Sequence, residues 1–276
     1  MRIGKKFIKA TPLPPGEVKV GELIIPPTCV RYKWAKVTHV GDNIEHILVG
    51  DEVIYDPSFC ERGTLLDGSV IMVPTTPMAI RRNGEILAGD GHILIEVPDR
   101  WLETDISTGG IYMTRNFKEW NKTSNIKRTA KVVAVGHGVT DIKVGDMAFF
   151  HFETLMHDRE RVLAEGIDCW SVSCMEPNWC HAVQRDGELL AVNDWLLVEP
   201  EKIPAKEIVN GIITLEDDSL SETVGTIRYG ENRECSPHLV VGDKIMFHSD
   251  DAWLNDFGGE KLYVMRAGRP LGKIEP

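Results

Sequence analysis

The strongest constraint in this sequence is one grammar used three times. Each copy has an apolar strand ending in Gly, a short polar loop, and a Val-Gly-Asp turn that leads into another apolar strand. The copies are residues 35–41 with 48–55, 130–136 with 143–150, and 225–230 with 240–247. The turn glycines Gly50, Gly145 and Gly242 lie 95 and 97 residues apart, and the strand-ending glycines Gly41, Gly136 and Gly230 lie 95 and 94 apart. A single Val-Gly-Asp is a common strand-entry turn, in which Gly supplies a positive φ and Asp bonds nearby backbone N–H groups. Three at a near-constant period, each with its upstream glycine, mark a tandem repeat.

The rest of the chain is punctuated to match. Gly and Pro break it into short segments rich in Val, Ile and aromatic residues, which is the pattern of an all-β protein. Strands are expected at 34–40, 52–55, 70–73, 93–97, 130–135, 147–152, 195–199, 224–229, 244–247 and 261–265. The one stretch with helical character, 159–165, is short and stops at Gly166. Each copy opens on a strand (6–10, 93–97, 195–199) and closes on another with a short tail. Domains are therefore expected at 1–87, 88–190 and 191–276. Units of about 90 residues bury a modest core and often gain stability by associating.

The segment Lys131-Val-Val-Ala-Val-Gly-His-Gly138, followed by Ile142-Lys-Val-Gly-Asp146, resembles co-chaperonins of the GroES type. The resemblance covers nearly the whole chain three times over and is strongest in the second and third copies. It implies three tandem GroES-like small β-barrels, where the family has one barrel per subunit in a ring that lids a chaperonin. The chaperonin, not this chain, would bind ATP. By the same resemblance the partner ring is seven-fold, and two chains of three barrels would fill six of its positions as a pseudo-symmetric homo-oligomer.

The family carries a loop with a Gly followed by an apolar tripeptide. The matching residues here are Gly110, Ile111, Tyr112 and Met113 in the second copy and Gly211, Ile212 and Ile213 in the third, where Thr214 departs from the pattern. In the first copy Leu23, Ile24 and Ile25 follow Gly21 after one inserted Glu22. Apolar side chains on a polar loop can drop into a hydrophobic groove, and several weak contacts on one ring add up through effective concentration. The bland alternative is that each tripeptide is an edge strand packed on its own barrel. The second copy also has extra material at 115–128, with Phe117 and Trp120, and at 151–166. The loops 42–47 and 137–142 are short, which implies that the family's roof hairpin is trimmed.

Other chemistry finds less support. The fragment 134–146 also looks like the substrate domain of medium-chain alcohol dehydrogenases, but no G-x-G-x-x-G turn or βαβ alternation accompanies it. Cys169, Cys174, Cys180 and His181 are the densest metal-capable run, without the tight C-x-x-C of a zinc knuckle, and buried packing is the simpler expectation. Ser171 has no nucleophile elbow around it. No catalytic residue, resident metal or cofactor is expected. Lys plus Arg number 31 against 42 Asp plus Glu, a net charge of −11 that repels nucleic acid. No apolar run reaches the roughly 18 residues of a bilayer crossing. With six unevenly spaced cysteines and no signal-like start, a cytoplasmic chain is expected. A second possibility from a different class is a structural protein, for example of a viral particle or an adaptor ring, that uses the same barrels only for assembly.

Overall fold

The computed structural model describes residues 6–14, 18–20, 23–25, 33–60, 65–96, 106–108, 111–113, 129–151, 169–174, 180–202, 220–230 and 238–274. Their regular structure is β-strand, apart from single 3-10 turns at Pro57–Phe59 and Ser249–Asp251. A strand falls in each of the ten expected ranges, with ends that stop one or two residues short in some, as at Met147–Phe150 and Lys244–Met246; segment 159–165 lies outside the described residues. No helix among the described residues is long and apolar enough to cross a membrane.

The chain divides into two compact units, Met1–Cys180 and His181–Pro276. In the first unit the strands are β1 (Ile8–Pro12), β2 (Val18–Val20), β3 (Leu23–Ile25), β4 (Lys33–Val40), β5 (Glu52–Tyr55), β6 (Val70–Met72), β7 (Ala79–Arg82) and β8 (Glu85–Ala88). They continue as β9 (His92–Glu96), β10 (Ile106–Thr108), β11 (Ile111–Met113), β12 (Thr129–Val135), β13 (Met147–Phe150) and β14 (Cys169–Ser173). From the boundary onward come β15 (Cys180–Arg185), β16 (Glu188–Ala191), β17 (Trp195–Lys202), β18 (Leu220–Tyr229), β19 (Lys244–Met246), β20 (Ala252–Asp256), β21 (Lys261–Arg266) and β22 (Gly272–Lys273).

Three runs of four strands share one topology. They are ordered β6-β1-β4-β5, β14-β9-β12-β13 and β21-β17-β18-β19, so the fourth strand of each copy returns beside the first. This is the 4-1-2-3 order of a Greek key, antiparallel throughout. In each copy the ladder between first and second strands slips register. Such a bulge bends the strand and increases its twist.

The expectation of small barrels is corrected. Among the described residues the strands form three six-stranded antiparallel sheets, not closed barrels, and two separate two-stranded sheets. Closure requires the outermost strands to pair with a matched stagger. In the first sheet, β6 ladders with β1 and β8 with β7, which leaves two short edges of three and four residues. Short edge strands are one way a sheet avoids templating another chain.

The Val-Gly-Asp turns are built alike in all three copies. Gly50, Gly145 and Gly242 have φ of +99°, +96° and +94°. The Asp carboxylate that follows accepts from the backbone N–H three residues back: Leu48 to Asp51 at 2.8 Å, Lys143 to Asp146 at 2.8 Å, and Val240 to Asp243 at 3.0 Å. The next strand is then clamped by a reciprocal backbone pair, Val37 with residues 50–51, Val132 with 145–146, and Ile227 with 242–243.

The tail of the first copy holds more structure than its short apolar run predicts. Residues 79–88 form the hairpin β7–β8, and β7 ladders with β5. A second hairpin, β15–β16, is its counterpart in sequence. Asn83 and Asp186 sit at φ +54° and +52°, each before a Gly at +85°. Positive φ at both central residues is the type I′ geometry that Asn-Gly and Asp-Gly favour.

Burial follows the same plan. In the first copy Ile8, Ala10, Val37, Val53, Tyr55 and Met72 share one core; in the third, Leu196, Val198, Ile227, Ile245, Phe247 and Met265 do. A further cluster of Ile54, Met78, Ala79, Ala88 and Leu94 joins residues of the first two copies within the first unit.

Candidate functional site

The apolar tripeptides of the first two copies fall on short strands. Leu23, Ile24 and Ile25 make up β3, which ladders with β2 in the register Val18↔Ile25, Lys19↔Ile24 and Val20↔Leu23. Ile111, Tyr112 and Met113 make up β11, paired with β10 as Ile106↔Met113, Ser107↔Tyr112 and Thr108↔Ile111. Both pairs are two-stranded sheets of their own, outside the larger sheets. Two residues separate the strands in each sequence, Gly21-Glu22 and Gly109-Gly110, and Gly first in a two-residue link suits a hairpin. Gly110, Gly211, Ile212 and Ile213 lie outside the described residues, as do the insertion at 115–128 and, apart from His151, the insertion at 151–166. A lone two-stranded hairpin is marginal in water and keeps open edges. It gains most from a surface that accepts its edge or its apolar side chains.

A second cluster had no sequence signal. His46 follows β4, and His137 follows β12 at the corresponding loop of the next copy. Asp90 lies in the link between β8 and β9. Close backbone packing holds that link: a Cβ on Gly136 would meet the Gly89 carbonyl oxygen at 1.8 Å, so only glycine fits. The Gly91 N–H donates to the His137 carbonyl at 2.8 Å. Arg82 secures the other side. Its Nη2 donates to the His46 carbonyl at 2.8 Å, while Nε and Nη2 grip the Asp51 carboxylate at 2.9 and 2.7 Å.

The three side chains then converge. Asp90 Oδ1 is 3.1 Å from His137 Nδ1, and Asp90 Oδ2 is 3.4 Å from His46 Nε2. The two imidazoles stack at 4.4 Å between centroids with 4° between planes. His137 is 66% exposed and His46 only 20%. Burial lowers the His46 pKa, opposed by Asp90 and reinforced by His137 and Arg82. His46 Nε2 is buried and makes no hydrogen bond.

The cysteine run behaves differently. Among the described residues the one group whose metal-capable atoms converge is His46, Asp90 and His137, and none of Cys169, Cys174, Cys180 and His181 belongs to it. His181 is fully buried in its own unit, bonded to the Asn255 amide at 3.2 Å and boxed edge-on by Trp195, Trp253 and Phe257. Ser171 does meet a histidine. Its Oγ lies 3.0 Å from His92 Nδ1 and donates to the Met78 carbonyl at 3.3 Å, while His92 Nε2 is 3.3 Å from the Thr75 carbonyl. Ser171 and His92 are 7% and 8% exposed, so this pair ties three segments together inside the fold.

No family model and no curated protein matches the chain. What it does is therefore inferred from its own residues.

Proposed function

We propose that this chain is a co-chaperonin-like lid, a cytoplasmic assembly of GroES-like repeats that binds a chaperonin ring and assists protein folding without doing chemistry itself. The observation that carries this reading is that the apolar tripeptides of the first two copies sit on hairpins separate from the sheets. The Greek-key order and the Val-Gly-Asp turn, each present in all three copies, support it by repeating one framework along the chain. Leu23, Ile24 and Ile25, with Ile111, Tyr112 and Met113, would enter apolar grooves on the ring, and Ile212 and Ile213 would do so in the third copy. Each contact is weak because the hairpin orders as it binds, and several on one assembly bind strongly. ATP would act on the partner, and the acidic balance keeps an assembly with apolar hairpins soluble.

The test is ATP-dependent co-elution with a chaperonin ring from the same host. Wild type is expected to co-elute, and Ile111→Ser with Met113→Ser to lose at least about tenfold in affinity, since about 1.4 kcal/mol is lost for each tenfold. No association by wild type with nucleotide present would end the lid reading.

A second reading, pure assembly, is favoured by one observation. The same turn in each copy presents an exposed valine: Val49 at 66%, Val144 at 65% and Val241 at 60%. An apolar side chain repeated at the equivalent turn of each copy suits packing between copies. A ring-sized native mass without chaperonin binding would favour this assembly role over the lid.

A further inference from the structure

We infer that His46, Asp90 and His137 form a binding site for one divalent transition-metal ion of the zinc or cobalt kind, which staples the first repeat to the second. The inference is independent of the lid reading, since it rests on other residues.

Two imidazoles and a carboxylate are a donor set for first-row transition ions rather than for calcium or magnesium, which prefer oxygen. Each oxygen of Asp90 already faces one imidazole nitrogen, at 3.1 and 3.4 Å. Bonds of about 2.0–2.2 Å to a tetrahedral ion put neighbouring donor atoms about 3.3–3.6 Å apart. All three donor atoms lie within 4.8 Å of one another.

The buried nitrogen supplies the second, independent observation. His46 Nε2 is withdrawn from water, makes no hydrogen bond, and lies 3.4 Å from a carboxylate oxygen of Asp90. In the tautomer that leaves Nε2 unprotonated, its lone pair faces the carboxylate unfavourably, and a cation between the two satisfies both. The stacked rings are parallel, so an ion in the plane of His46 requires His137 to tilt. At 66% exposure, His137 can turn without unpacking the core. Three protein donors leave a fourth position for water, or for a group brought by a partner.

The placement explains what the ion would do. The two histidines come from corresponding loops of successive repeats, and the aspartate comes from the link that joins them. An ion would close that joint by cross-linking three loops already braced by Arg82, Gly91 and the Gly89–Gly136 contact.

The experiment uses the full chain, stripped with chelator and titrated with Co2+, then with Zn2+ in competition. Expected are one equivalent of Co2+ per chain, visible d–d bands without thiolate charge-transfer absorption, displacement by Zn2+, and a raised Tm. His137→Ala and Asp90→Asn should each weaken binding at least about tenfold, while His39→Gln, at an exposed position, should bind as wild type does. Because His137 is exposed, its variant should keep the wild-type far-UV spectrum. The inference is overturned by the absence of saturable binding in wild type or by thiolate bands that place the ion on cysteines. Equal affinity in wild type and in both ligand variants would overturn it too.

Discussion

Arg82→Met removes the cation that faces Asp51 while keeping most of the apolar stem. The Asp51 side chain is 3% exposed and accepts three hydrogen bonds, one from the Leu48 N–H and two from Arg82. Without Arg82 a carboxylate stays buried with one backbone donor, and the His46 carbonyl loses a donor as well. Removing one partner of a fully buried pair costs about 3–5 kcal/mol. The Arg82 side chain is 29% exposed, so water partly replaces it, and we expect about 2–3 kcal/mol. For a unit of this size that lowers Tm by about 4–12 °C. Urea unfolding of Arg82→Met, Asp51→Asn and the double variant closes a cycle, because the amide oxygen introduced by Asp51→Asn can still accept from the Leu48 N–H but carries no charge. The double variant should recover at least about 1 kcal/mol relative to the sum of the singles. A single-variant loss below about 0.5 kcal/mol, or strict additivity, would refute the claim that Arg82 neutralises a buried charge.

Two further outcomes follow from the turns and the core. Gly50→Ala, Gly145→Ala and Gly242→Ala should each cost about 1–2 kcal/mol in urea unfolding, because φ is near +95° and a Cβ there meets no atom within 4 Å. Unequal losses, with one variant at zero, would show that the turns are not equivalent. Burial, helped by the Cys60 thiol, pushes the Tyr55 phenol up to about 12, so its contribution to stability is present below the unfolded value near 10 and lost as pH rises through about 12. The absorbance difference at 295 nm between wild type and Tyr55→Phe should therefore titrate near pH 12; a midpoint near 10 would mean that Tyr55 is solvated.

Much of the fold was legible because its determinants are local. Val-Gly-Asp states a φ and a hydrogen bond within four residues, and runs such as Glu52–Tyr55 alternate or cluster their apolar residues over one strand length. Asn83-Gly84 and Asp186-Gly187 carry an equally local signal for the hairpins, one that a search for apolar runs passes over. The tripeptides were readable as apolar motifs after glycine. Their pairing with β2 and β10, rather than with a larger sheet, was not, because a three-residue strand has no sequence mark that names its partner.

By itself, then, the sequence determined an all-β chain with one strand grammar used three times, the turns that open the third strand of each copy, and an acidic balance of charge. Only the tertiary structure decided that the described strands form open sheets, since closure depends on whether distant edge strands match in stagger and length. It alone brought His137 and His46, stacked on each other, to the two oxygens of Asp90. Asp90 and His137 are 47 residues apart in the chain, and their meeting depends on two glycine backbones packed too closely to admit a Cβ. Turn chemistry is written in neighbouring residues; a convergent site is written in the path of the chain.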